Sequence, residues 1–183
     1  MTACFDETIL NWFQWIHNDI ITVIFKVLTL LGEGGILWIA IGLFLVIKKK
    51  TRMIGVTVLA ALVLCLIVGN ITLKPLVARP RPCWRHPEIP LLIANPTDYS
   101  FPSGHAMSSF ASAMAIILWN RRMGVAALVV AVFMSATRLY FYVHYPTDIL
   151  AGMLIGIVLG IVSYLVVKKI KQSNILHSHK NML

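Results

Sequence analysis

Charge of one sign is scarce in this chain: seven Asp and Glu stand against sixteen Lys and Arg, and charged residues of both signs make up only 13% of the total. A soluble domain carries far more, so a water-exposed globular fold is excluded. Cysteine is nearly absent. Cys4, Cys65 and Cys83 are odd in number and scattered, which excludes a disulfide framework. There is no basic segment followed by a small-residue cleavage site at the N-terminus, so no removable signal peptide is read there. Internal repeats and low-complexity linkers are also missing, and residues 1–183 read as one membrane-embedded domain.

What the chain does have is apolar length. Its hydrophobic fraction is 58% and its mean hydropathy +0.82. A helix crosses a bilayer with about 20 apolar residues. Long tracts run over 53–73, 107–118, 124–143 and 149–167, and two shorter ones, 19–31 and 34–47, are separated by Gly32-Glu33-Gly34-Gly35. The glycines predict a tight turn between two helices. The expected fold is therefore all-α: a polytopic membrane protein with six transmembrane helices in a bundle. Before the first span, Phe5, Ile9, Trp12, Phe13 and Ile16 recur at helical spacing and predict an amphipathic helix at the interface.

The net charge of +9 is distributed as membrane topology demands, which argues against nucleic acid as a partner. Lys48, Lys49, Lys50 and Arg52 follow the second tract, Arg121 and Arg122 the fourth, and Lys168, Lys169, Lys171 and Lys180 the last. By the positive-inside rule these ends are cytoplasmic, which with six spans places both termini in the cytoplasm. Lys26 lies within the first span, where it snorkels or faces another helix. Lys74, Arg79, Arg81, Arg85 and Arg138 break the rule by clustering at the outer ends. A bound anion explains such a cluster, with lipid headgroup anchoring as the bland alternative.

Three blocks carry the chemistry: Lys74-x6-Arg81-Pro82, Pro102-Ser103-Gly104-His105 and Arg138-x5-His144-x3-Asp148. The segment from Lys74 to Ser100 reads as a proline-rich outer loop, with proline at 75, 80, 82, 87, 90 and 96, expected to rest on the membrane. Pro102 and Pro146 mark expected helix starts, with Ser100 as a cap before the former. Both helices then aim free N–H groups and the positive dipole end at one surface, where Ser103 and Gly104 can hold an oxyanion. His144 and Asp148, four residues apart, lie within hydrogen-bond reach. The carboxylate fixes the imidazole tautomer and leaves the other ring nitrogen as a nucleophile. Lys74, Arg81 and Arg138 clamp a phosphate, and His105 serves as the acid. A zinc site from His105, His144, Asp148 and His86 is the rival reading, but the surrounding cations repel a divalent ion, so no metal or cofactor is expected. The pair His177 and His179 reads as a polar tail.

At these blocks the sequence resembles the type 2 phosphatidic acid phosphatase family, which shares its motif with vanadium-dependent haloperoxidases and bacterial acid phosphatases. Its pattern, Lys-x6-Arg-Pro, Pro-Ser-Gly-His and Ser-Arg-x5-His-x3-Asp, is met throughout 74–148 except that Thr137 stands where the family has serine. The resemblance implies a helical bundle with the site on the outer face, a phosphohistidine on His144, His105 as acid and no metal. The apolar chain favours a membrane lipid phosphatase over the soluble relatives, in a bacterial plasma membrane. Undecaprenyl diphosphate, converted to undecaprenyl phosphate, is the favoured substrate, with phosphatidylglycerophosphate and phosphatidic acid as alternatives. A lipid phosphotransferase and a non-catalytic lipid binder or transporter are the readings from other classes.

Overall fold

The apolar tracts fold as helices, and no strand occurs among the described residues 2–180 of the computed structural model. Side chains are described from Cys4 to Ser173, so those of His177, His179 and Lys180 lie outside the described residues. In chain order the helices are α1 (Thr2–Trp15), α2 (Asp19–Gly32), α3 (Ile36–Ile47), α4 (Arg52–Cys65, continued by a π-helical stretch Leu66–Leu73 and the turn Lys74–Val77), α5 (Gly104–Ile117), α6 (Arg121–Tyr140) and α7 (Pro146–Lys180). Local chemistry sets their starts. Asn18 Oδ1 accepts from the Ile20 N–H at 2.9 Å to cap α2, and Asn120 Oδ1 accepts from the Met123 N–H at 3.1 Å to cap α6. Pro146 opens α7 as expected. The start of α5 differs: Ser103, with extended backbone (φ −68°, ψ 115°), is the cap, so the helix begins at Gly104 and not at Pro102.

The six-span expectation is corrected at α2 and α3. Thr29 lies against His105 at the top of α5, and Trp38 Nε1 donates to Ser109 Oγ one turn lower, at 2.8 Å. On the α4 side, Gly35 neighbours Leu62, Gly42 neighbours Leu59 and Val58, and Val46 neighbours Gly55. The partners descend steadily, so the chain does not reverse at the glycines. Residues Asp19–Ile47 form one broken crossing of 29 residues. With Arg52–Arg85, Arg121–Tyr140, Pro146–Ser173 and the shorter Gly104–Ile117, five apolar segments traverse the bundle.

One consequence is that α1 lies at the site end, where Asp6 and Leu10 are buried against the start of α7 and the end of α6. The far end of α7 lies opposite, so the expectation that both ends of the chain share one side does not hold. The basic clusters do share a side. Trp119 Nε1 donates to Thr57 Oγ1 at 2.9 Å and its ring lies under Lys171, which gathers the α3–α4 turn, the α5–α6 turn and the lower part of α7 away from the site.

Helices α5 and α7 form the tightest pair. Gly152, Gly156 and Gly160 recur every four residues on α7, and a Cβ at each would come within 2.7, 2.4 and 2.6 Å of the Ser103, Met107 and Ala111 carbonyls. This contact clamps the two helix starts side by side, and the functional residues cluster there.

Candidate active site

Two left-handed residues aim the site. Ala78 (φ 47°) ends α4 and turns Arg79 and Arg81 back over the bundle, while Tyr142 (φ 58°) turns the chain after α6 so that His144 points inward. Non-glycine residues in this region cost conformational energy and persist where packing enforces them. Together the two turns bring Lys74, Arg81, His105, Arg138 and His144 to one cavity of about 1020 Å³, bounded by α2, the upper half of α4, loop residues 92–98 and the start of α5.

His144 is 1% exposed and its two ring nitrogens have different partners. Arg81 Nη1 lies 3.0 Å from Nε2 and also donates to the Val143 carbonyl at 2.7 Å. A guanidinium only donates, so Nε2 is the unprotonated nitrogen. Nδ1 therefore carries the proton, 3.4 Å from Ser100 Oγ and 3.5 Å from Asp148 Oδ2. Ser100 Oγ in turn donates to Asp148 Oδ2 in a short hydrogen bond. Asp148 also accepts from the Tyr145 N–H at 2.9 Å and from Arg79 Nη1 at 2.5 Å. Burial, reinforced by Arg81, Arg138 and Lys74, holds the His144 imidazole well below its ordinary pKa. The ring is neutral at pH 7, as a nucleophile requires.

Arg138 is 4% exposed, donates from Nη1 to Thr29 Oγ1 at 2.5 Å, and keeps a buried Nε with no partner among the described residues. An unpaired buried donor is costly, and beside two other cations it suits a phosphate oxygen. Lys74 and Arg81 are both paired with Asp98: Lys74 Nζ in a short contact, Arg81 Nη2 at 2.6 Å, with Arg81 Nε donating to the Asp98 carbonyl at 2.7 Å. Burial alone would raise the Asp98 pKa, but Lys74 and Arg81 outweigh it and pull the carboxyl down to about 2. It stays ionised at any working pH. Asp98 thus occupies donors that a phosphate would use. Asp98→Asn is expected to strengthen inhibition by inorganic phosphate about tenfold, read as a lower inhibition constant; an unchanged constant would show that the carboxylate does not compete.

Among the expected oxyanion donors, Ser103 is corrected. Its N–H donates to the Asp148 carbonyl at 3.2 Å, so that N–H is not the free oxyanion donor expected, and its hydroxyl accepts from the Ala106 N–H at 3.5 Å. Gly104 lines the cavity, as does His105, whose Nε2 lies 3.1 Å from the Thr29 carbonyl. Asp148, Lys74, Arg81, Arg138 and His144 are gathered as the spacing predicts. The zinc alternative is not assembled: among the described residues no three of His, Cys, Asp and Glu stand as a metal-binding group.

Four residues escaped the sequence reading. Arg79 stands out in the sequence only as a wrong-sided cation, yet it bridges Asp148 and the buried Asp6, the latter at 2.8 Å. Ser100 stands in the His144–Asp148 contact instead of capping α5. Asp98 carries a faint signal, one of seven acids and lying in the loop that follows the cation cluster. Thr29 carried none.

The sequence profile of the PAP2 superfamily matches residues 54–172. The chain belongs to the PAP2 superfamily. It is 32% identical over 168 residues to an undecaprenyl-diphosphatase of Sulfolobus acidocaldarius, covering 87% of this chain and 81% of that protein. To the lipid A 4'-phosphatase of Bacteroides thetaiotaomicron it is 30% identical, over 90% of this chain and 78% of the relative. The crystal structure of Aquifex aeolicus LpxE superposes with a TM-score of 0.71 at 26% identity, covering 87% of this chain and 94% of that one. This PAP2 protein is a multi-pass membrane enzyme of the lipid-phosphatase class. The PAP2 match starts at Ile54, so α1, α2 and α3 lie outside it.

Proposed function

We propose that this PAP2 protein hydrolyses the terminal phosphate of a membrane lipid phosphate or diphosphate through a phosphohistidine on His144, with undecaprenyl diphosphate the favoured substrate. The observation that carries the mechanism is the 3.0 Å contact of Arg81 Nη1 with His144 Nε2, which marks Nε2 as the nitrogen with the lone pair; that pair is freed to attack when Arg81 turns its Nη1 to a phosphoryl oxygen. Lys74, Arg81, Arg138 and the Gly104 N–H hold the phosphoryl oxygens and offset the charge that develops on them. His144 Nε2 attacks phosphorus, the bond to the leaving oxygen breaks, and that oxygen takes a proton from the His105 imidazolium, which becomes neutral. Water then gives a proton to His105 and attacks phosphorus, the N–P bond breaks, and phosphate departs. Asp148 and Ser100 hold the Nδ1–H side of the nucleophile throughout.

The cavity favours an amphiphile. Its walls carry Leu30, Ile39, Leu59, Leu62 and Leu66 below the cations, so an apolar tail and a phosphate are met at different depths. The basic clusters at the opposite end support a site on the outer face of the membrane, where a carrier lipid would leave its diphosphate. The undecaprenyl-diphosphatase and lipid A 4'-phosphatase relatives support substrates of this kind.

The test is phosphate release by purified protein from polyprenyl diphosphates, phosphatidylglycerophosphate and phosphatidic acid. Release is expected above the His144→Ala and His105→Ala background, greatest for the diphosphate, and unchanged by EDTA because three cations do the work of a metal. No release from any of the three lipids would end the phosphatase reading. EDTA loss restored by a divalent ion would end the metal-free mechanism.

A further inference from the structure

The α2 crossing is outside the three motif blocks and the PAP2 match, yet it touches two of the site's side chains. In an unbroken helix the Thr29 carbonyl would accept from the N–H of residue 33. Here the Glu33 N–H goes to the Leu30 carbonyl, because the chain enters left-handed backbone at Gly34 (φ 55°) and Gly35 (φ 74°) directly afterwards. The Thr29 carbonyl is thereby free to accept from His105 Nε2 at 3.1 Å, while Thr29 Oγ1 accepts from Arg138 Nη1 at 2.5 Å. A carbonyl only accepts, so His105 keeps a proton on Nε2 in both charge states, and Nδ1 carries the exchanged proton: the imidazolium gives it to the leaving oxygen and the neutral ring takes one back from water. Gly32 permits the approach: a Cβ there would lie 2.5 Å from His105 Cδ2 and 2.8 Å from Met134 Sδ. Irregular backbone at membrane depth persists where it lines a cavity, and Thr29, Gly32 and Glu33 all do so.

We propose that Thr29, on the broken α2 crossing, is a positioning residue: its carbonyl fixes the tautomer and direction of His105, and its hydroxyl fixes the reach of Arg138. The proposal rests on the phosphatase reading, with His105 as the acid. It explains why the Gly32–Gly35 break sits inside the membrane, where a helix normally keeps its hydrogen bonds. The break releases one carbonyl, and the site uses it. Without that carbonyl the imidazole could rotate and present Nε2–H instead. Without the hydroxyl, Arg138 would have two unsatisfied nitrogens and would swing away from the phosphate.

Substitutions in the full-length, detergent-solubilised protein separate the two arms. Thr29→Val keeps the branched shape but removes the acceptor for Arg138, whereas Thr29→Ser keeps the acceptor. Thr29→Val is expected to raise KM for the lipid substrate about tenfold with a smaller change in kcat, and Thr29→Ser to stay within about twofold of wild type. Gly32→Ala forces the imidazole away from the carbonyl. A lipid alkyl phosphate needs a proton to leave, but p-nitrophenyl phosphate leaves as a stabilised phenolate. Gly32→Ala should therefore lower kcat/KM about 100-fold for the alkyl ester and less than about tenfold for the aryl ester. A purely structural role would depress both esters in proportion, and Thr29→Ser together with Thr29→Val. A wild-type KM in Thr29→Val, or equal losses on the two esters in Gly32→Ala, would overturn the proposal. Absence of wild-type turnover on every lipid is a different result, since it removes the phosphatase reading itself.

Discussion

His144→Ala is expected to lower phosphate release by about 10⁴-fold or more, because the variant has no atom to take the phosphoryl group and only the cationic clamp remains. Binding should survive. Lys74, Arg81 and Arg138 come from α4, the loop after it and α6, so KM or the affinity for a non-hydrolysable analogue should change by less than about tenfold. The control is protein stability. His144 is held neutral in the fold, with a pKa below its unfolded value, so the unfolded chain binds more protons as pH falls through the ordinary histidine range. Wild type should accordingly lose stability on acidification through that window, and His144→Ala should lose less. For activity the sign is the same: a neutral nucleophile persists to a pH below the ordinary histidine value, and the acid limb of the wild-type profile should lie there. A variant that retained more than about a tenth of wild-type turnover would remove His144 from the reaction.

Asp148→Asn is the second large effect, about 10³- to 10⁴-fold in kcat with little change in KM. The carboxylate accepts from Ser100 Oγ, the Tyr145 N–H and Arg79 and faces His144 Nδ1 at 3.5 Å. An amide of the same shape can turn its NH₂ toward that side. The imidazole then carries its proton on Nε2, facing Arg81, and the lone pair is lost from the nitrogen that must attack. Folding should persist, because Arg79 keeps Asp6 at 2.8 Å and Asp6 still accepts from the Thr147 N–H at 3.0 Å. A melting temperature close to wild type with kcat collapsed supports tautomer control. Equal kcat in Asp148→Asn and wild type would show that the carboxylate is only a structural partner of Arg79.

The site was legible where function depends on side-chain type at helix ends. His144 and Asp148 could be paired from their spacing, and the cations could be paired with a phosphate because topology disfavours them at that end. Even so, the His144–Asp148 pair has a third member that spacing does not reveal. Ser100, expected as a cap because serine precedes a proline, lies beside them and touches both, while Ser103 takes the cap and turns its N–H to α7. Periodicity and spacing describe one chain segment at a time. The Asp98 contacts with Lys74 and Arg81 depend on how a loop folds back, which no local pattern encodes.

The difference between two expected spans and one broken crossing also has a local cause. Each apolar half, 19–31 and 34–47, is flanked by glycines, and glycines with positive φ commonly reverse a chain. Here they change its direction without reversing it, as the descending contacts from Thr29 to Val46 show. Length favoured the correct answer, since neither half alone reaches about 20 residues. The role of the Thr29 carbonyl was invisible for a different reason: every residue has one, and only the broken hydrogen bond makes this one available.

Acid-labile, alkali-stable labelling tests the central claim most directly. The wild-type protein is mixed with a lipid carrying ³²P in its terminal phosphate, quenched in alkali within one turnover, and digested for peptide mapping. Label is expected on the peptide containing His144, formed as fast as the lipid product and absent from His144→Ala. Product formed in the first turnover with no label on the protein, or with label on another residue, would contradict it.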